Sequence, residues 1–355
     1  MTAVVLTGYG GFDKLAIRHD VPVPSPGPGE VLIRVGACGV NNTDINTRLG
    51  WYAPTADEAA RGDATLADNA PGGWSGPLSF PRIQGADVAG HIAAVGRGVP
   101  GARIGERVIV EPLLRDPRFP DDLQRSGYLG SERDGGFAVY LTVPADNAFS
   151  IVSDLSDAEL ATFPCSYSTA ENMLTRIRVA RQDTLLVTGA SGGVGSALVQ
   201  LAKRRGAKVL ALTTAPKRDA VAALGADRVI DREALSQGTL QEILPEGTVD
   251  AVADVVGGNG FSALIGILKR GGRYVAAGAI AGPMVALDLR QLYLKDLELH
   301  GATVLPKGLF GRLVGYIERG EIRPLLAGEF PLAAIREAQT AFLAKTHVGS
   351  FVLKP

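Results

Sequence analysis

The stretch TLLVTGASGGVGSALVQLAKRRGAKVLALTT, residues 184–214, constrains the fold of this 355-residue chain more than any other. It reads as an apolar strand, a glycine-rich turn, a helix and a second apolar strand. Continuous apolar strands joined by a crossover helix imply a parallel sheet buried on both faces. A glycine turn that opens a helix directly after such a strand presents free backbone N–H groups, and the positive end of the helix dipole, to a pyrophosphate. Within the turn Ser191, Gly192, Gly193, Val194 and Gly195 form the expected cradle. Gly192 lets the backbone approach the phosphates and Gly195 lets the helix pack closely on the strand. Ala190 stands at the first position of the usual G-x-G-x-x-G. The strand–turn–helix–strand context, more than the glycine spacing, therefore carries the dinucleotide assignment.

The second strand ends where an NAD site usually places a carboxylate on the adenosine ribose. Here the residues are Thr213, Thr214, Ala215, Pro216, Lys217 and Arg218. Hydroxyls and two cations suit a 2'-phosphate, and the missing carboxylate removes the repulsion that would exclude one. The expectation is NADPH over NADH, with Lys217 and Arg218 as a solvated first helical turn the plainer alternative.

The same texture runs from about 183 to 302, through AKVLALTT, RVID, DAVADVV, GRYVAAG and ELHGATV, as in a doubly wound α/β fold. The first 150 residues differ: AVVLT, EVLIRVGAC, VAGHIAAVG, ERVIVEP and FAVYLTVP are short strands cut by Gly and Pro, the pattern of a mainly-β domain. The tail from about 304 ends in a strand, GSFVLKP, expected to pair back onto the first domain. Length supports two domains. The boundaries expected are 1–158, 159–303 and a returning segment, 304–355. Residues 53–79, beside Trp51 and Tyr52 and containing Trp74, form a long loop that reads as a lid over a substrate cleft or equally as a surface excursion or subunit contact. The charged stretch RDPRFPDDLQRSGYLGSERDGG reads as a solvated lobe.

A formal charge of −1 gives no clustered cations for a polyanion, so nucleic acid is disfavoured as a partner. The N-terminus lacks a basic region followed by a long apolar run, and no stretch of roughly eighteen apolar residues suggests a membrane span. Only two cysteines, Cys38 and Cys165, occur, far apart, which suits a reducing cytoplasm.

On these motifs the chain resembles the medium-chain dehydrogenase/reductase superfamily, and within it the zinc-free quinone oxidoreductase-like branch. Gly39, Val40, Asn41, Asp44, Arg48, Gly50 and Tyr52 match that branch's G-V-N-x-x-D and R-x-G-x-Y segments; Ala190 to Gly195 match its cofactor turn. The resemblance implies a GroES-like mainly-β catalytic domain and a Rossmann domain. It also implies a homodimer, with a tetramer possible, paired through the strand at LHGATV. Zinc members of the superfamily take ligands where this chain has Asn41, Ala86 and Cys165. Asp87 stands beside them, but one Cys, one Asp and a neutral amide are a poor zinc set, and the lobe at 115–134 has no cysteine for a structural site. No metal is expected.

Zinc would stabilise a developing alkoxide as a Lewis acid. Without it a conjugated acceptor is favoured, because the charge that arrives on it is spread over an enolate or phenolate. The resemblance therefore implies NADPH-dependent reduction of a quinone or an α,β-unsaturated carbonyl, with a zinc-independent aldehyde or ketone reductase as the neighbouring enzyme alternative. A non-catalytic RNA-binding or structural relative is the alternative of another class. Asn41 is expected to donate to the substrate carbonyl or the nicotinamide ribose, Tyr52 to be a second donor or proton source, and Thr43 to stand in a relay, with packing or ribose contact open for each. Asp44 reads as an internal hydrogen-bond partner. Thr169, Val256, Gly257, Gly278 and Ala279 are expected to line the dinucleotide by resemblance.

Overall fold

The computed structural model describes residues 1–52 and 78–355. The lid reading, Trp74 included, falls mostly on residues 53–77, which lie outside the described residues. The chain divides into two compact units, Met1–Cys165 with Pro324–Pro355, and Ser166–Arg323.

Among the described residues the first unit begins with the strands β1 (Ala3–Leu6), β2 (Leu15–Arg18), β3 (Glu30–Gly39), β4 (Arg82–Ile83), β5 (Asp87–Val95), β6 (Arg107–Val110), β7 (Leu113–Leu114), β8 (Gly127–Tyr128), β9 (Tyr140–Pro144) and β10 (Ala148–Ser150). The long strand β3 is the hub, antiparallel to β5 along most of its length and to β9 over its first half. Its inward side chains Val31, Ile33 and Val35 pack with Val88, Ile92 and Phe137 in the core of this unit. Helix α1 (Asn42–Leu49) follows β3 directly, and α2 (Pro164–Arg176) leads out of the unit.

In the second unit β11 (Thr184–Val187), β12 (Lys208–Thr213), β13 (Arg228–Asp231), β14 (Val249–Asp254), β15 (Leu268–Ala276) and β16 (Glu298–Gly301) form one six-stranded sheet in the order β13-β12-β11-β14-β15-β16. Every neighbouring pair is parallel. The order reverses between β11 and β14, the switch point at which doubly wound sheets bind ligands beyond the carboxyl ends of their strands. Helices α3 (Gly193–Arg204) and α4 (Arg218–Ala222) follow β11 and β12; α5 (Leu289–Leu294) precedes β16 and α6 (Leu309–Glu318) follows it. The chain returns to the first unit through β17 (Leu326–Pro331), α7 (Ile335–Leu343) and β18 (Ser350–Lys354), which pairs with β3 at Gly39 and Cys38. The mainly-β and doubly wound halves are thus as expected.

Two details differ from the sequence reading. The return begins near 324, not 304, because the Val304 carbonyl accepts hydrogen bonds from Asn172 and Arg176 at 3.2 and 2.9 Å and the Arg204 guanidinium lies 3.5 Å over the Tyr316 ring, which holds α6 in the second unit. The charged lobe is not solvated throughout. Its β7–β8 hairpin turns Leu113, Tyr128 and Leu129 inward. Among the described residues no helix is long and apolar enough to cross a membrane.

Candidate functional site

The register of β3 on β5 pairs Gly39 with Asp87. A Cβ on Gly39 would stand 2.6 Å from the Ala161 carbonyl oxygen and 2.8 Å from the Asp87 Cβ, so the close approach requires glycine. Two residues on, Asn41 takes an extended conformation and starts α1, and its backbone N–H donates to Asp44 Oδ2 at 2.8 Å. This is the carboxylate arm of a capping box. Asn41 Nδ2 donates to Asp87 Oδ2 at 2.8 Å, and the backbone N–H of Cys165 donates to Asp87 Oδ1. Residues 41, 86 and 165, which correspond to ligand positions in zinc members, are therefore gathered around one carboxylate. Ala86 and Cys165 pack together with Tyr128. Among the described residues no group of three or more His, Cys, Asp and Glu side chains is placed to hold an ion.

Burial dominates the electrostatics here. It pushes both the Asp44 and the Asp87 carboxyls up to about 7, Asp44 further helped by the charge of Asp87, while the donors Asn41 and Cys165 oppose the rise at Asp87. The wholly buried Cys38 thiol, with both carboxylates near it, is held well above its ordinary range, so it packs as a small apolar group. Tyr52 lies in the turn after α1; burial raises its phenol, and hydrogen bonds with the Asn46 and Thr43 side chains work against that rise. The three expected catalytic residues thus form two pairs of contacts, Asn41 with Asp87 and Thr43 with Tyr52. Asp44 is an internal partner, as expected. Arg48 is a buried pin: Nη1 donates to the Gly10 carbonyl at 2.7 Å, Nε to Gln339 Oε1 at 3.2 Å, and the guanidinium sits 4.7 Å over the Phe12 ring.

Sequence reasoning weighed Asp87 only as a metal ligand and missed Tyr128, Asn46 and Gln84. Gln84 Nε2 donates to the Asp44 carbonyl at 2.8 Å, while its buried Oε1 has no partner. The signal available for Tyr128 was the apolar pair YL inside a charged stretch.

In the second unit the chain leaves β11 through Gly189 and enters α3 with Gly192 as a cap that offers no side chain. A Cβ on Gly195 would lie 2.1 Å from the Gly189 carbonyl oxygen, so helix and turn can pack only with glycine there; on Gly192 the nearest atom would be that same oxygen at 3.5 Å. One buried carboxylate ties this turn to its neighbour. Asp254, at the end of β14, accepts from Thr188 Oγ1 at 2.5 Å, from the backbone N–H groups of Val256 and Gly257 at 2.8 and 3.2 Å, and from the Tyr274 hydroxyl at 2.6 Å. The expected cofactor residues Val256, Gly257, Gly278 and Ala279 come together at the ends of β14 and β15: the Ala281 N–H donates to the Val256 carbonyl at 2.9 Å, and a Cβ on Gly257 would touch the Ala279 Cα at 3.1 Å. Gly193 and Val194 open α3, and Ser191 precedes its cap. Thr169 sits half-buried on α2.

At the end of β12 Thr213 is buried, and its Oγ1 has no hydrogen-bond partner. Thr214 and Lys217 beyond it are half-buried. Burial lowers the Lys217 ammonium below its ordinary range and the nearby Arg232 charge adds to that. Arg218 is exposed, its Nη1 3.5 Å from the Val229 carbonyl. An uncapped helix N-terminus, whose first N–H groups have no intrahelical acceptor, and an orphan hydroxyl at Thr213 both fit a bound dinucleotide.

Comparison with known proteins agrees with this geometry. Residues 27–153 match the alcohol dehydrogenase GroES-like domain, and residues 193–315 match the zinc-binding dehydrogenase family. A crystal structure from Sinorhizobium meliloti 1021, named provisionally as an alcohol dehydrogenase, is 49% identical, with 100% of this chain and 96% of that one covered and a TM-score of 0.89. Acryloyl-coenzyme A reductase of Metallosphaera sedula is 30% identical over 99% of both chains. Quinone oxidoreductase of Lama guanicoe is 27% identical over 95% of this chain and 92% of its own. The chain belongs to the medium-chain dehydrogenase/reductase superfamily of oxidoreductases.

Proposed function

We propose that the protein is an NADPH-dependent reductase of a quinone or an α,β-unsaturated carbonyl compound that works without zinc. The observation that carries the reading is the bridge from Asn41 through Asp87 to the Cys165 backbone, which fills the metal-ligand positions of zinc relatives with a hydrogen-bond network. The reduced dinucleotide, when bound, supplies the hydride. Asn41 keeps one amide hydrogen for Asp87, and the second is the donor offered to the substrate carbonyl oxygen. Asp87 fixes which way that amide faces. Tyr52, kept protonated by burial and held by Thr43 and Asn46, supplies the proton. Ser191, Gly192, Gly193, Val194 and Gly195 receive the pyrophosphate; Thr169, Val256, Gly257, Gly278 and Ala279 line the rest of the dinucleotide; Thr213, Thr214 and Lys217 favour a 2'-phosphate.

A neutral donor pair gives little help to a localised alkoxide, so conjugated acceptors are expected to be turned over at least about a hundredfold faster than simple ketones. That is about the size of one missing oxyanion contact. Steady-state kcat/KM for a panel of quinones, enones, acryloyl thioesters, aldehydes and alkanones with NADPH tests this. The Sinorhizobium structure's name favours the second reading, a zinc-independent carbonyl reductase, and equal turnover of alkanones and enones would establish it instead.

The thiols of Cys38 and Cys165, both buried and neither joined in a disulfide, support a reducing cytoplasm as the place of action. A second copy of the chain is the proposed partner at the edge of β16, which has no second neighbour among the described residues; Met284, Leu289, Tyr293 and Leu294, in the segment leading to that strand, are more than half exposed, and Leu299 on it is exposed. An open strand edge next to apolar surface is a liability unless covered. Sedimentation velocity at micromolar concentration is expected to show a dimer for the parent chain and a monomer for the double variant Tyr293→Asp, Leu294→Asp; a parent that sediments as a monomer refutes the assignment.

A further inference from the structure

We propose that Arg232, with Thr213 and Lys217, forms the anion site for the 2'-phosphate of the dinucleotide, and that Arg218 is not its guanidinium. This deepens the NADPH reading above and rests on it.

The placement follows from the sheet. β12 and β13 run parallel, with Thr213 in register with Asp231, and the Arg232 N–H donates to the Thr213 carbonyl at 2.8 Å. Arg232 is thus the first residue past the carboxyl end of β13, level with the last residue of β12, on the side of a parallel sheet where ligands bind. Arg218 is drawn the other way. Its guanidinium approaches the Val229 carbonyl, two residues before that strand end, at 3.5 Å. Arg232 is exposed and makes no side-chain hydrogen bond or ion pair among the described residues, so its five donors are available for bidentate recognition of a phosphate.

Two further observations point to an anion. The Thr213 hydroxyl is buried, 3% exposed for the residue, and lacks any partner, a cost that a phosphate oxygen would remove. The Lys217 ammonium is depressed by burial and by the Arg232 charge, as two cations facing the same space should be; an anion between them reverses that repulsion. The adjacent carboxylate is engaged with the backbone. Asp231, the neighbour, accepts from the Glu233 N–H at 3.0 Å.

The test is equilibrium binding of NADPH and NADH, read from nucleotide fluorescence, so that no substrate need be known. Wild-type protein is expected to bind NADPH more tightly than NADH. Arg232→Ala should weaken NADPH binding by about ten- to a hundredfold, the worth of a charge-assisted bidentate contact, while NADH binding stays within about twofold. Arg232→Lys should recover part of the loss, since a point charge remains without the fork. A selective NADPH loss in Arg218→Ala with none in Arg232→Ala overturns the inference and leaves the NADPH reading standing. Equal wild-type affinity for the two nucleotides overturns both. Inorganic phosphate at millimolar concentration should compete with NADPH and not with NADH; competition with both assigns the free anion to the pyrophosphate turn and overturns the site.

Discussion

Asp254→Ala is expected to lower the stability of the protein by about 3–5 kcal/mol and to abolish dinucleotide binding, the largest single-residue effect on the fold. The carboxylate is wholly buried and accepts from four separate groups: the hydroxyls of Thr188 and Tyr274 and the backbone N–H groups of Val256 and Gly257. Each buried donor left without an acceptor costs roughly 1–3 kcal/mol, and water entering the vacated space offsets part of the sum. The loss has a local shape as well. Thr188 precedes the glycine turn after β11, and Val256 and Gly257 make the turn after β14, so removing the carboxylate frees both turns at the switch point at once. Tyr274→Phe removes one donor together with part of its requirement and should cost only about 1 kcal/mol with binding retained. Chemical unfolding midpoints and nucleotide titrations of the two variants separate the cases. A loss in Asp254→Ala no greater than in Tyr274→Phe would show that the carboxylate is not the hub.

What was legible in the sequence follows the range of the interactions involved. The doubly wound unit could be read because each strand, turn and helix declares itself within a window of a few residues: LLV, VLAL and AVA are apolar without alternation, and their burial on both faces is what that run encodes. The glycines at 192 and 195 were separable into a looser position and a tightly packed one by place in the motif alone. The partners of Asn41 were not legible, because the bond to Asp87 spans 46 positions and is set by the register of β3 on β5. Asp254 looks in sequence like any acid at a strand end; its four donors come from three different strands and their turns. The segment 304–323 was misplaced because an amphipathic helix such as LFGRLVGYIE declares which face it buries and not which unit it buries that face against. The sequence offered Arg218 because it is adjacent to Lys217, and could not offer Arg232, which is brought level with the same strand ends only through the parallel pairing of β12 and β13.

The second large effect is expected at Asp87, where replacing one oxygen by an NH2 group should be enough to lower kcat by about a hundredfold, with little change in KM, the size reported for a lost oxyanion donor. Both groups on the Asp87 carboxylate are donors, Asn41 Nδ2 and the Cys165 backbone N–H. In Asp87→Asn the backbone N–H cannot turn, so it keeps the one remaining oxygen, and the new NH2 faces Asn41 donor to donor. Asn41 relieves that clash by exchanging its own oxygen and nitrogen, which turns the donor proposed for the substrate into an acceptor. The pH dependence gives an independent reading. The folded chain ionises Asp87 near 7, against an ordinary value of 3.8, because burial outweighs its two donors. Between those values the folded state holds a proton that the unfolded chain has released, so stability falls as pH rises from about 4 to about 7, on the order of 4 kcal/mol for a single such group. Asp44, buried beside it and raised to about 7 as well, contributes a slope of the same sign. Asp87→Asn should remove one of the two contributions and weaken the other, since the Asp87 charge helps to raise Asp44, leaving a flatter profile of unfolding midpoint against pH together with the loss in kcat. A variant with parental kcat would mean that Asp87 does not orient Asn41; a low kcat with an unchanged pH profile would keep the orientation argument and remove Asp87 as a group that titrates in this range.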